Sequence, residues 1–523
     1  MEKNSAVGSA ETKNPDPHLL GSSDKTDFIV NMTHDGAQKL AGIYSIIAVI
    51  VVCLMTLPYY LAKQFGTPNK LLMLQTEQSI PTSMIIMPIL IMTGLAGYFV
   101  FMIFCIKKEF NLAANKNVWL FAAILLSGLL SAVLSKDPMT CIFGYLERAE
   151  GMLTIFGYLG FFMLGICITG EKYRSAAVGA VIGAGTLNAV IGILQSIPAL
   201  SAYIPSYYNY LYINSRQNVK VAEYFNVYAG YDASFAADGL TCSPFTLGAF
   251  MTLSAALAVN RAVYAEKTPK RIICLVCTGL MIGAAVVTQT IPALVGIGCV
   301  IVITLVFALT DKKTVGDGEK RVANKGAIIS AVLAVVMSGA IAAGIVLTDN
   351  FRLRDEHIMF TDSLERLSIA PYAHTAHEDD IYSTLWYEGW LCFKDHAVVG
   401  VGSDCWMAMY AGGEGMETDR TYNEYLDLAL TRGVIGLGLY VAVLAVTFAK
   451  AVRMLKAARE GAVNKGVAAG AFTALTAYAV QAFMNTTSHT VTPLFMLVVG
   501  IIWSYEAITG KPKKQNSLKP AQK

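Results

Sequence analysis

Twelve apolar runs, each long enough to cross roughly 30 Å of hydrocarbon as a helix, punctuate this 523-residue chain. They cover residues 40–62, 83–106, 118–134, 152–169, 175–197, 244–260, 272–287, 291–310, 326–348, 433–449, 466–483 and 489–505. A single water-soluble core stops growing near roughly 250 to 300 residues, so this much apolar surface must face lipid. Composition agrees, because 55 % of residues are hydrophobic and only 15 % are charged, against roughly 25 % charged in an ordinary domain. The expected fold is all-α: a polytopic integral membrane protein of about twelve transmembrane helices. Nucleic-acid binding is excluded by a formal charge of only +3 and by the lack of any block of five Lys or Arg. The lipid bilayer is the first partner.

Charge bias orients the chain. Lys3, Lys13, Lys25, Lys39, Lys107, Lys108, Lys116, Lys172 and Arg174 all fall on segments that share the side of the N-terminus. By the positive-inside rule that side is cytoplasmic, and with twelve spans both termini lie there. The expected location is the plasma membrane, multi-pass. Residues 1–38 are polar without an apolar h-region and read as a disordered cytoplasmic tail, not a signal peptide. The remaining divisions are spans one to nine over 39–348, an extracytoplasmic loop over 349–421, spans ten to twelve over 422–507, and a cytoplasmic tail over 508–523.

Two outer segments exceed mere connectors, residues 198–243 and 349–421, and loops of that length usually carry function or are disordered. The second holds fourteen acidic and five basic side chains. Within it Leu385, Trp386, Trp390, Leu391 and Phe393 recur at helical spacing, which predicts an amphipathic helix over 381–396 at the outer interface. The tyrosines of the first loop, from Tyr203 to Tyr231, read as an interfacial aromatic belt. Most of the ten cysteines lie inside apolar runs and read as small buried hydrophobes.

No span, as drawn, has an Asp, Glu, Lys or Arg in its middle, which disfavours ion-coupled transport. Charge-dependent chemistry is therefore pushed to the span ends and outer loops, where Arg148, Arg216, Arg352, Arg354, Arg366, Arg420 and Arg432 are found. An arginine fork holds a phosphate bidentately, so this set suits a lipid diphosphate whose head lies at the membrane surface. His374 and His377, followed by Asp379 and Asp380, read as a solvated surface and not a metal site. No phosphate-binding glycine loop, hydrolase serine elbow or HExxH zinc motif is present.

The most informative stretch runs from Asp419 through Arg420, Tyr422, Asn423 and Glu424 to Arg432, Gly433 and Gly436, where polar residues lead directly into a span. Gly433 and Gly436 remove side-chain bulk as the helix enters the membrane and permit close backbone approach by a neighbour or ligand. A capped interfacial helix packed through glycines explains the same residues without any chemistry.

This stretch resembles the signature of the O-antigen ligase family, bacterial membrane glycosyltransferases that include ligases and polysaccharide polymerases. Asn423, nine residues, Gly433 and Gly436 fit that signature without a gap. Other landmarks follow in order: Glu147, Arg148, Glu150, Gly151, Leu153 and Thr154; Gly239, Ser243, Pro244 and Gly248; Trp386, Gly400, Gly402, Ser403 and Asp404; and Thr492 to Phe495. The resemblance implies a GT-C-like helical enzyme without cofactor or metal, acting on the outer face with a long outer loop before the tenth span. It implies an undecaprenyl-diphosphate-linked glycan as donor and a glycan, glycolipid or protein as acceptor. Arginines hold the leaving diphosphate, for which Arg148 matches best and Arg216, Arg366, Arg420 and Arg432 are further candidates.

The chain departs from the family in two respects. Tyr422 stands at the signature histidine, and a phenol with an ordinary pKa near 10 is a poor base at neutral pH, though it can orient an acceptor beside Asn423. Two family arginines fall near Ala236 and on Tyr382. A base is then sought among Glu424, Asp427, Asp419 and His489, with Glu424 or His489 preferred. The alternatives to an enzyme are a carrier or flippase for a lipid-linked glycan and a catalytically degenerate family member.

Overall fold

The computed structural model describes residues 32–58, 82–110, 115–144, 149–197, 200, 203–204, 237–288, 290–315, 320–347, 381–406 and 420–507. Each of the twelve apolar runs is a helix: α1 His34–Leu54, α2 Thr82–Ile106, α3 Trp119–Leu134, α5 Met152–Cys167, α6 Glu171–Ser196, α7 Pro244–Val263, α8 Thr268–Val287, α9 Ile291–Thr310, α10 Lys325–Leu347, α12 Glu424–Arg459, α13 Lys465–Gln481 and α14 Thr492–Ala507. Two shorter helices, α4 Pro138–Phe143 and α11 Ile381–Asp395, lie between them. Eight helices among the described residues are long and apolar enough to cross a membrane. The first helix starts at His34, capped by the Thr33 hydroxyl, so residues 34–38 belong to it and not to the N-terminal tail.

The all-helical architecture holds, with one small addition among the described residues. A small antiparallel hairpin, β1 Lys312–Val315 against β2 Lys320–Ala323, joins α9 to α10. Its base is fixed by Asp311, which accepts from Asn324 Nδ2 at 2.8 Å and from Lys465 Nζ at 3.1 Å. Hydropathy alone leaves such a short polar connector blank.

Helix α5 is packed through glycine on two sides. Gly94 and Gly97 of α2 abut the backbone of Gly157 and Gly160, and Gly165 abuts Gly500 of α14, so a methyl at Gly94, Gly97, Gly160, Gly165 or Gly500 would strike backbone. Small residues spaced in this way let helices approach where lipid supplies no hydrophobic drive for association. Phe162 of α5 then stacks on Phe121 of α3, with Trp503 of α14 edge-on to both rings. Helix α7 is buried almost all round, packed by α6, α8, α9 and α13, whereas Leu126, Val133, Ile273, Val302 and Val336 remain exposed as lipid-facing residues should.

Irregular backbone inside this frame is satisfied by side chains. Residues 237–241, which lead toward α7, are buried. Gln195 accepts from the amides of Asp238 and Gly239 and donates to the Gly239 carbonyl, while Asn188 accepts from the Leu240 amide. Non-helical backbone at such depth requires partners of this kind.

Candidate active site

The site is organised by how α12 begins and how it breaks. Asn423 caps the helix: its Oδ1 accepts from the amides of Tyr425 at 3.1 Å and Leu426 at 3.2 Å, which meets the orphan donors of the first turn. The preceding Tyr422 has φ +53°, a left-handed conformation that costs a non-glycine residue roughly 1 to 2 kcal/mol. Its neighbours impose it. Trp386 Nε1 of α11 donates to the Thr421 carbonyl at 2.8 Å, the Thr421 amide and hydroxyl both donate to Asp427 Oδ1 at 2.8 Å, and the Glu424 amide donates to the Ala482 and Asn485 carbonyls. Leu426 and Leu430 pack with Trp386, Val401 and Trp406 into one apolar cluster.

Nine residues further on, the helix breaks. Gly433 has φ +64° and ψ −171°, a combination open in practice only to glycine. The carbonyls freed by the break are recovered by residues 397–402, which run alongside. Val401 and Gly402 amides donate to the Leu430 and Thr431 carbonyls at 2.9 Å, Ser131 Oγ adds a second donor to Thr431, and the Val434 amide donates to Ala397. Gly400 at φ +72° and Gly402 at φ +108° shape that segment. A methyl on Gly433 would occupy the space of the Val398 carbonyl, and one on Gly436 would occupy that of the Arg432 side chain. The two glycines thus do separate jobs. The first admits the crossing backbone and the second makes room for an arginine.

Below the break lies a cavity of about 110 Å³, near the size of an engineered 150 Å³ cavity that accepts benzene. Its apolar wall includes Phe121, Ile155, Leu159, Trp406 and Met496, and its polar wall Glu150, Ser403, Asp404, Glu424, Asp427, Arg432 and Thr487. Four carboxylates are buried here, and Glu150, Glu424 and Asp427 are each held by hydroxyls. Glu150 accepts from Tyr158 at 2.8 Å and Thr487 at 2.6 Å, Glu424 from Tyr440 at 2.5 Å and Tyr478 at 3.1 Å, and Asp427 from Thr486 at 2.9 Å. Asp404, left-handed at φ +60°, accepts from the Glu150 amide at 3.1 Å and so joins the 397–406 segment to the foot of α5.

Arg432 is the buried cation of this cavity, 6 % exposed. Its Nε donates to Ser403 Oγ at 3.4 Å, and Glu150 lies within electrostatic reach, but among the described residues no carboxylate stands in ion-pair contact with it. A buried guanidinium has five donors to satisfy, and this residue lines the cavity. The arrangement is ready to receive an anion. No three metal-ligating side chains converge among the described residues.

Of the residues expected from the sequence, Glu424 and Arg432 meet at this cavity. Asn423 spends its side-chain oxygen on the helix cap. Tyr422 is half-buried and tilts against Phe245 at 5.3 Å, outside the cavity lining. His489 is half-buried in the turn before α14, also outside that lining. Arg420 is half-buried just before Thr421. Arg148, Arg216 and Arg366 lie outside the described residues, as do His374, His377, Asp379 and Asp380. Sequence reasoning missed the hydroxyl caps Tyr158, Tyr440, Tyr478 and Thr487. Glu150 and Asp404 were visible only as positions in family landmarks.

The comparison with known protein families bears on this geometry directly. The model of the O-antigen ligase family matches residues 276–441, from within α8 to just past Tyr440. That stretch holds the 397–406 segment, the Asn423 cap, Glu424, Arg432 and both glycines. No curated protein matches the chain. The signature read in the sequence and the two glycines of the broken helix both fall in the stretch, residues 276–441, that matches the O-antigen ligase family.

Proposed function

We propose that the protein is a membrane glycosyltransferase with twelve transmembrane helices and GT-C-like architecture, both termini cytoplasmic, that transfers or polymerises a glycan at the outer face of the plasma membrane. The donor is a glycan on an undecaprenyl diphosphate carrier, and the acceptor a glycan, glycolipid or protein. The observation that carries this reading is Arg432, a buried arginine without an ion-pair partner among the described residues that lines a cavity beneath the family signature.

In the reaction, the acceptor hydroxyl oxygen bonds to the anomeric carbon while that carbon's bond to the diphosphate oxygen breaks. The carrier diphosphate leaves with the bonding electrons, and its growing charge is what a fixed guanidinium stabilises. The hydroxyl proton needs a base. Glu424 is the preferred group because it lines the cavity, whereas His489 does not. Tyr422 and Asn423 then act indirectly, holding the start of α12 so that Glu424 keeps its place. Arg148, Arg216, Arg366 and Arg420 remain candidates for the outer phosphate.

The test is transfer from the carrier-linked donor by Arg432→Gln and Arg432→Lys. Losing one preorganised donor group of this kind costs on the order of 10²–10³ in rate, so Arg432→Gln is expected to fall by that much. Arg432→Lys should recover only part, since a lysine keeps the charge but not the fork. Wild-type transfer by Arg432→Gln in correctly folded protein overturns the assignment. The accumulating carrier pool in cells lacking the gene separates the two chemistries: full-length chains mark a ligase and single repeat units a polymerase. An unchanged pool removes the enzyme reading in favour of a carrier or a degenerate member.

A further inference from the structure

Two thiols that neither the sequence pattern nor the family signature singles out meet beside the cavity. Cys141 lies in α4, and Cys405 follows Asp404 in the segment that crosses α12. They are 264 positions apart in sequence, yet their sulfurs stand 3.1 Å from each other and both residues are essentially inaccessible, at 0 % and 1 % exposed. Little movement separates this contact from a bond of roughly 2.05 Å. The surroundings hold the pair in place. Ser135 Oγ donates to the Val401 carbonyl at 2.7 Å, the Cys405 thiol reaches the Asp137 carbonyl, Asp137 caps α4 through the Thr140 amide, and Gly402 leaves no room for a methyl against Cys141. With Cys405 as hydrogen-bond donor, Cys141 is drawn down to about 7 and Cys405 is pushed up, so one sulfur is predisposed to be the nucleophile.

We propose that Cys141 and Cys405 form a disulfide that staples the outer wall of the cavity, covalently joining the segment that carries Ser403, Asp404 and Trp406 to the segment that leads into Glu150. The proposal rests on the orientation read from the charge bias, which puts both residues on the oxidising, extracytoplasmic side where such bonds persist. The oxidant is a disulfide-bearing thiol oxidoreductase of that compartment. The Cys141 thiolate attacks one sulfur of the oxidant's disulfide and releases one oxidant thiolate. The Cys405 thiolate then attacks Cys141 in the mixed disulfide, forming the Sγ–Sγ bond and releasing the second oxidant thiolate. The pair loses two electrons and two protons, and the oxidant gains both as a dithiol. Because both sulfurs are buried once the segment is seated, the exchange takes place as the wall docks during folding, and the finished bond is shielded from reductants.

The experiment uses the full-length chain in native membranes, with free thiols trapped by N-ethylmaleimide before lysis. Mass spectrometry is expected to recover the Cys141 and Cys405 peptides as one linked species, lost on reduction with dithiothreitol and absent from Cys405→Ser. Recovery of both peptides as separate maleimide adducts overturns the proposal. A parallel Tyr203→Cys variant, at an exposed position of the first long loop (69 % exposed), reports orientation through a membrane-impermeant maleimide on intact cells. Labelling there together with separate Cys141 and Cys405 adducts refutes the staple alone. Labelling only after permeabilisation, together with separate adducts, refutes the orientation and the staple with it.

Discussion

Replacing Gly433 by alanine tests the broken helix at its centre. The native backbone at φ +64°, ψ −171° carries a strain of roughly 1 to 3 kcal/mol for any residue with a Cβ. The new methyl also collides with the Val398 carbonyl, which is backbone and cannot rotate aside. To relieve the collision, residues 397–402 must move off α12 and loosen three backbone hydrogen bonds, Val434 to Ala397, Val401 to Leu430 and Gly402 to Thr431. Each is worth roughly 0.5 to 1.5 kcal/mol net, so with mid-range values the substitution costs about 5 kcal/mol. The control lies on the same helix. Gly438 has ordinary helical geometry and open space around its Cβ direction, so Gly438→Ala should be neutral or gain up to about 1 kcal/mol. Reversible unfolding in mixed micelles, followed by the fluorescence of Trp386 and Trp406 beside the break, measures both. Transfer activity should be lost in Gly433→Ala and kept in Gly438→Ala. Equal stability of the two variants, within about 1 kcal/mol, would refute the account of the crossing.

Two further perturbations probe the start of α12 and its buried acid. Asn423→Ala removes the acceptor of two first-turn amides and should destabilise by about 1 kcal/mol, while Asn423→Asp keeps the cap; denaturant midpoints of the two variants should differ accordingly, and identical midpoints would reject the capping role. Tyr440→Phe strips one hydroxyl from Glu424 and leaves a buried carboxylate oxygen short of a donor at a cost of roughly 1 to 3 kcal/mol; combined with Glu424→Gln, the two effects should be clearly non-additive in the same unfolding assay.

The membrane fold was legible because its cause is local. Twelve continuous apolar runs require only length and hydropathy to be read, and each proved helical. The tenth was read as 433–449 but forms part of a helix over Glu424–Arg459. Hydropathy cut it short because Glu424, Asp427 and Arg432 look like surface residues in sequence, whereas here they are buried against other protein segments. The amphipathic helix expected over 381–396 is present over Ile381–Asp395, and its Trp386 turns out to anchor the signature itself. The site was legible only in part. Glu424 and Arg432 stood inside a recognisable motif. Thr487 reaches the cavity from beyond α12 and Tyr478 reaches Glu424 from α13, while Tyr440 sits sixteen positions after Glu424 across a break; no period or spacing in the sequence announces such contacts. Cys141 and Cys405 are a stronger case still, since they lie outside the apolar runs and 264 positions apart.

The partition of the cavity also bears on how this family domain works as a unit. Residues 276–441 supply Glu424, Asp427, Arg432 and the crossing segment, but Glu150 comes from the foot of α5 and Thr487 from the turn before α14. Those two groups hydrogen-bond to each other across 337 positions, and Asp404 ties the Glu150 amide to the crossing segment. The matched region therefore carries the fixed cation and the broken helix, while the glycine-packed pair α5 and α14 completes the opposite wall. Close packing of Gly165 on Gly500 sets how these two helices meet, and with them the distance between Glu150 and Thr487. Helix packing far from the signature is thereby converted into the shape of the site. In the proposed reaction a fixed guanidinium serves the charge developing in the transition state only if its surroundings do not reorganise, and residues from both halves of the chain line the cavity around Arg432.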